Sequence, residues 1–94
     1  MPGVRTESEG MDSMASSDDL KRGVELALAG DWDGAHAIAQ GDESDPLFCW
    51  LHACLHKIQC DTGNSRYWYA KAGRRFDDFT DATTELQAIR ATIS

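Results

Sequence analysis

Apolar residues recur at every third or fourth position through most of this chain. Leu20, Val24 and Leu28 form one such stripe, and this spacing places them on one face of a helix. No segment alternates apolar and polar residues as a half-buried strand would. Glycine and aspartate interrupt the stripes at short intervals, so the helices must be short. We therefore expect an all-α fold of about five short helices, with two stacked antiparallel helical hairpins and a C-terminal helix.

Residue types that cap helices mark the expected starts and stops. Side-chain oxygens of serine and aspartate accept hydrogen bonds from the free amides of a first turn, and proline suits the first helical position. The expected boundaries, in chain order, are Ser16 or Ser17, Gly30, Asp31, Gly41, Asp45 before Pro46, Asp61 or Thr62, Gly73, and Thr80 or Asp81. Residues 1–16 are polar and should form a flexible tail, whereas residues 17–94 should form a single helical domain.

A short repeat links the first half of the chain to the second. Residues 30–35 align with residues 60–65 at an offset of 30 positions. Each block places an aspartate cap in a tight turn, and a small residue, Ala35 or Ser65, follows where two helices must approach closely. This arrangement is typical of helical-hairpin repeats, and tetratricopeptide repeats have a similar period of about 34 residues.

Two segments carry a resemblance to a protein family. The text WDGAHAIAQ starts at Trp32, and the text HACLHKIQCDTGNSRYWYAKAG starts at His52. Together they resemble an uncharacterised, mainly bacterial family of small helical proteins with the pattern WDxAHxxxQ followed by HAxLHRxEGDxxNAxYWYxRAG. The second segment is also similar to Sel1-type repeats. The resemblance implies a helical fold and no established activity. Cys60 stands where that family tends to have glycine, and a turn with positive φ would be strained there.

Charge and composition exclude several classes of protein. The net charge of −7 argues against general nucleic-acid binding, which needs positive potential. The longest apolar run, residues 47–51, is too short to span a membrane. The three cysteines form an odd set without a secretory signal, which favours reduced thiols in a cytoplasmic protein.

The histidines suggest a metal site. His52 and His56 are four residues apart on one helix face, and His36 and Asp33 share a face of the preceding helix. Two imidazoles and a carboxylate, or three imidazoles, could hold zinc or iron and leave a position open for water. The alternative is structural: the imidazoles would hydrogen-bond a carbonyl or a tyrosine hydroxyl and hold two helices in register.

Chemistry at a cysteine is a weaker hypothesis. Cys60 precedes the cap of the fourth helix, and His56 could serve as its base. Asp61 would oppose thiolate formation there. The sequence has no phosphate-binding glycine loop, no CxxC pair and no nucleotide-binding fingerprint. The absence of these motifs favours a protein that is not an enzyme.

The leading functional hypothesis is a protein-interaction module that binds a protein partner or a second copy of itself. Trp50 lies away from the main apolar stripe of its helix and is the expected partner contact. Tyr67 should be exposed beside a basic group that could stack on a partner, or bind a nucleotide or another acidic ligand. The residues of that basic group are Arg66, Lys71, Arg74 and Arg75.

Overall fold

The computed structural model describes residues 16–93, and these residues form five α-helices and no β-strand. The helices are α1 (Ser17–Leu28), α2 (Trp32–Ala39), α3 (Pro46–Ile58), α4 (Thr62–Ala72) and α5 (Ala82–Ile93), and a short 3-10 helix spans Phe76–Asp78. The expected all-α fold with about five helices is confirmed. The expected flexible tail lies outside the described residues, apart from Ser16.

Side-chain caps begin the helices as predicted. The Ser16 hydroxyl accepts from the backbone N–H of Asp19, whose carboxylate accepts from the Ser16 N–H in return. A carboxylate caps each of the later helices in the same way: Asp31 accepts from Gly34, Asp45 from Leu47, Asp61 from Asn64 and Asp81 from Thr84. Each such cap typically stabilises a helix by about 1 kcal/mol.

The repeated corners have matching backbone geometry. Gly30 and Cys60 both have positive φ, 89° and 62°. The following aspartate amide donates to the carbonyl five residues back in each corner, at 2.8 Å for Asp31 and 2.9 Å for Asp61. The turn at Cys60 therefore does have the positive φ considered above, and a residue with a Cβ in this conformation typically costs about 1–2 kcal/mol.

Helix α3 occupies the centre of the fold. It packs against α4 most closely and also contacts α1, α2 and α5, while α1 packs on α2 and α5. Eight consecutive residues, Phe48 through Leu55, are buried, whereas Ile58 near the helix end is 41% exposed. A single apolar stripe would bury only one face, but neighbours surround this helix. The polar residues of α3 are consequently drawn into the interior.

Gly23 lets α1 approach both α2 and α3. A Cβ at this position would lie 2.9 Å from side-chain carbons of Ile38 and of Leu51, closer than real Cβ contacts. The close approach lets α2 and α3 pack on the same part of α1. Helices α2 and α3 also contact each other directly.

Candidate functional site

The three histidines meet between α2 and α3. His52 and His56 lie one turn apart on α3, and His36 reaches them from α2. One ligand nitrogen of each imidazole lies within 4.8 Å of the others, and Nε2 of His36 is 3.1 Å from Nε2 of His52. We call these residues the histidine cluster. The sequence predicted their proximity, and Asp33, the alternative ligand, is not part of the group.

Two tryptophans stack on the cluster from either end. The ring centroids are 4.5 Å apart for Trp32 and His36 and 4.0 Å apart for Trp68 and His52, both with 14° between the planes. The indole of Trp32 is fixed by a 2.7 Å hydrogen bond from Nε1 to the carbonyl of Leu55. The aromatic contacts thus orient two of the imidazoles. Trp32 precedes His36 by four residues, so helical spacing could have indicated their contact.

Two imidazole nitrogens of the cluster have no hydrogen-bond partner. Nδ1 of His52 and Nδ1 of His56 are both buried and unpaired. The carboxylate of Asp61 lies 4.0 Å from Nδ1 of His56, too far for a hydrogen bond. Among the described residues, the imidazoles of the cluster hydrogen-bond each other, through His36 and His52. They do not bond a carbonyl or a tyrosine hydroxyl, as the structural alternative expected.

Two histidines of the cluster, His36 and His52, are uncharged near neutral pH. Burial, together with the neighbouring His36 and His56, lowers the pKa of His52 from 6.5 to about 4. Burial first, and then His56, also lower the pKa of His36, while Asp33 raises it. Neutral imidazole is the form that ligates metal ions. Both residues are therefore in the binding-competent state at pH 7.

A second buried polar group lies on the other side of α3. Glu85 of α5 is fully buried and accepts from Trp50 Nε1 at 2.8 Å, Lys57 Nζ at 2.9 Å and the Tyr69 hydroxyl at 2.5 Å. Lys57 also donates to the carbonyls of Phe76 and Phe79, at 2.9 and 3.0 Å. We call Trp50, Lys57, Tyr69 and Glu85 the Glu85 network.

Glu85 raises the pKa of two groups that contact it. Burial and the hydrogen bond to Glu85 raise the pKa of Tyr69, and burial and the Glu85 charge raise the pKa of Cys54. Both groups are thus even harder to deprotonate than an ordinary tyrosine or cysteine. Sequence reasoning missed this network. The sequence gives one local indication of it. Glu85 precedes Ile89 by four residues, so the two share a helix face, and Ile89 is fully buried.

The predicted partner-binding residues do not form one surface. Trp50 is 2% exposed, so the prediction that it contacts a partner was wrong. Tyr67 is exposed as expected, and Lys71 lies near the rings of Tyr67 and Trp68. Arg66 and Arg74 instead line a pocket together with Arg75, on another side of α4.

The thiols show no catalytic arrangement within residues 16–93. Cys49 and Cys54 are buried, and burial raises the pKa of both. The Cys49 thiol donates to the carbonyl of Glu43 at 3.2 Å. Cys60 is exposed, and its thiol makes no hydrogen bond to His56 in this part of the chain.

Comparison with protein-family models, curated proteins and solved structures gives no match to this chain. The resemblance of the segments that start at Trp32 and His52 to a bacterial family therefore stays a prediction. Over the described residues, none of the helices combines the length and the apolarity that crossing a membrane requires.

Proposed function

We propose that this protein binds a divalent transition-metal ion through His36, His52 and His56, with zinc as the first ion to test and iron as the second. The supporting observation is that the three ligand nitrogens lie within 4.8 Å of one another. Zinc–nitrogen bonds of about 2.0–2.1 Å in a tetrahedral site put neighbouring nitrogens roughly 3.3 Å apart. The His36–His52 pair, at 3.1 Å, has nearly this spacing already. The widest pair of ligand nitrogens, at most 4.8 Å apart, must therefore close by roughly 1.5 Å.

Neutral imidazoles and two nearby carboxylates support a metal ion at this place. His36 and His52 have lowered pKa values and offer neutral ligands. Asp33 acts on His36 through its charge, and the Asp61 carboxylate lies 4.0 Å from His56 Nδ1. At this distance Asp61 contributes a nearby negative charge and no hydrogen bond to the ring. Three protein ligands also leave a coordination position for water, as in catalytic rather than closed structural zinc sites.

The direct test uses untagged protein stripped of metal with a chelator and titrated with Zn²⁺ by calorimetry. Co²⁺ serves as a second probe, because its visible spectrum reports tetrahedral coordination. We expect one ion per chain, with binding lost in His36→Phe and His52→Phe. Asp33→Asn should weaken binding only slightly, because Asp33 contributes a nearby charge and no ligand atom, and a Cys60→Ser background removes the exposed thiol. Absence of saturable binding, or full binding by His36→Phe, would contradict the proposal.

A second candidate function is self-association as a helical-hairpin module of the tetratricopeptide or Sel1 kind. The matching corners at Gly30 and Cys60 support the hairpin repeat. Tyr67, 56% exposed on α4, offers an aromatic contact of the type enriched at interfaces. We expect the melting temperature to rise with protein concentration, and Tyr67→Ser to reduce that rise. A monomeric mass with a concentration-independent melting temperature would contradict self-association.

A further inference from the structure

A pocket of about 290 Å³ opens beside the end of α4, apart from the histidine cluster. Its walls include Arg66 on α4, Arg74 and Arg75 after that helix, and Phe76 and Asp77 of the 3-10 helix. Three arginines and one aspartate give these walls a formal charge of +2. This local positive charge contrasts with the net charge of −7 on the whole chain.

Aromatic rings hold two of the guanidinium groups in place. The guanidinium carbon of Arg66 lies 4.4 Å from the ring centre of Phe76, and that of Arg74 lies 3.5 Å from the ring centre of buried Trp50. A guanidinium stacked on a ring keeps the N–H donors at its edge available. Neither arginine forms an ion pair with any of the described residues. Arg75 pairs only loosely with Asp78, at 4.0 Å between exposed side chains.

We propose that this pocket binds the phosphate group of a small phosphorylated molecule. The guanidinium fork matches the paired oxygens of phosphate, and each N–H to oxyanion hydrogen bond is stronger than a neutral one. The charge of +2 on the walls balances a phosphate dianion. Stacking on Phe76 and Trp50 fixes the two donors before the ligand arrives, which reduces the entropy lost on binding. The pocket has room for an organic group beside the phosphate.

The test is a low-salt titration of the metal-free protein, followed by NMR of the arginine side chains. The probes are inorganic phosphate and phenyl phosphate, with succinate to compare carboxylates. We expect saturable 1:1 binding that weakens as salt is added, with phenyl phosphate at least as tight as inorganic phosphate. Arg66→Gln and Arg74→Gln should each lower the affinity about tenfold, the loss of one charge-assisted hydrogen bond.

Arg22→Gln is the matched control, because Arg22 is exposed on α1 and carries the same charge. It should leave the affinity unchanged. Arg66→Lys keeps the charge and removes the fork, so it should weaken phosphate binding. This variant leaves the packing of Arg74 on Trp50 in place, so it tests the proposal independently of Arg74→Gln. Lack of saturation with either phosphate, tighter binding of succinate, or an equal loss in Arg22→Gln would overturn the proposal.

Discussion

The histidine cluster and the Glu85 network lie on the same helix, α3, yet they differ in how fully their polar atoms are paired. In the Glu85 network, Lys57 uses its three N–H donors on Phe76, Phe79 and Glu85. In the histidine cluster, the Nδ1 atoms of His52 and His56 are buried without a partner. A buried polar atom without a partner costs about 1–3 kcal/mol. The protein thus supplies every hydrogen-bond partner for Lys57 in one buried group from its own atoms, and it leaves two buried nitrogens of the other group without a partner.

The two regions therefore have different roles in our interpretation. The Glu85 network ties α5 and the loop after α4 to α3, and it needs nothing further. The histidine cluster leaves two buried ring nitrogens unpaired and brings three imidazoles within reach of one ion. Four experiments test this distinction and the structure around it.

The largest expected effect is the loss of the buried charge at Glu85. Glu85→Gln leaves Lys57 without its counter-ion and should lower the free energy of unfolding by about 3–5 kcal/mol, measured by urea denaturation. The matched control is Glu25→Gln, which breaks a 2.8 Å ion pair with Arg90 between half-exposed side chains and should cost less than about 1 kcal/mol. Similar losses in the two variants would show that the Glu85 network does not hold the fold.

Acid should destabilise the protein through the histidine cluster. The pKa of His52 is about 4 in the folded protein against 6.5 for the ordinary side chain. The unfolded chain binds a proton first, so stability present above pH 6.5 is lost as the pH falls towards 4. We expect the free energy of unfolding to fall by an amount on the order of 3 kcal/mol, measured by urea unfolding at several pH values. His52→Phe should remove this part of the acid sensitivity, and an unchanged pH profile in that variant would contradict the assignment.

Zinc should stabilise the protein through the histidine cluster alone. At a free concentration one hundred times its dissociation constant, an ion that binds only the folded state adds about 2.7 kcal/mol to the free energy of unfolding. Tyr69→Phe alters the Glu85 network and should keep this gain, whereas His36→Phe should lose it. Thermal melts with and without Zn²⁺ provide the measurement. A gain that survives in His36→Phe would place the ion elsewhere.

The smallest effect concerns the corner that carries Asp61 towards the histidine cluster. Cys60→Gly should raise the free energy of unfolding by about 1 kcal/mol, because glycine accepts positive φ without steric strain. Gly30→Ala is the opposite change at the equivalent corner and should lower it by a similar amount. A Cβ at Gly30 would meet no atom within 4 Å, so backbone conformation alone decides the result. An unchanged free energy of unfolding in Cys60→Gly would contradict backbone strain at this residue.

Local rules predicted much of this molecule. The aspartate caps, the strained turn at Cys60 and the helices depend on residues within a few positions of one another, and they formed as expected. The proximity of the histidines followed from helical spacing combined with one hairpin contact. These features could be inferred because short-range geometry controls them.

The errors arose where distant packing decides the outcome. Trp50 lies off the apolar stripe of α3, but α5 brings the acceptor Glu85 to its indole, so a position that looked exposed is buried. Lys71 and the arginines looked like one basic group. Arg66 and Lys71 are five positions apart on α4 and so lie about 140° apart around the helix, and the chain after Gly73 brings Phe76 to Arg66.

The three tryptophans divide between these regions, which makes the protein its own optical reporter. Trp32 and Trp68 touch the imidazoles, whereas the indole of Trp50 donates to Glu85. Emission from the first pair should respond when the imidazoles gain protons or an ion. With those two replaced by phenylalanine, the remaining emission would come from Trp50 and report on the opposite side of α3. Tryptophan fluorescence could therefore monitor the two halves of the interior separately.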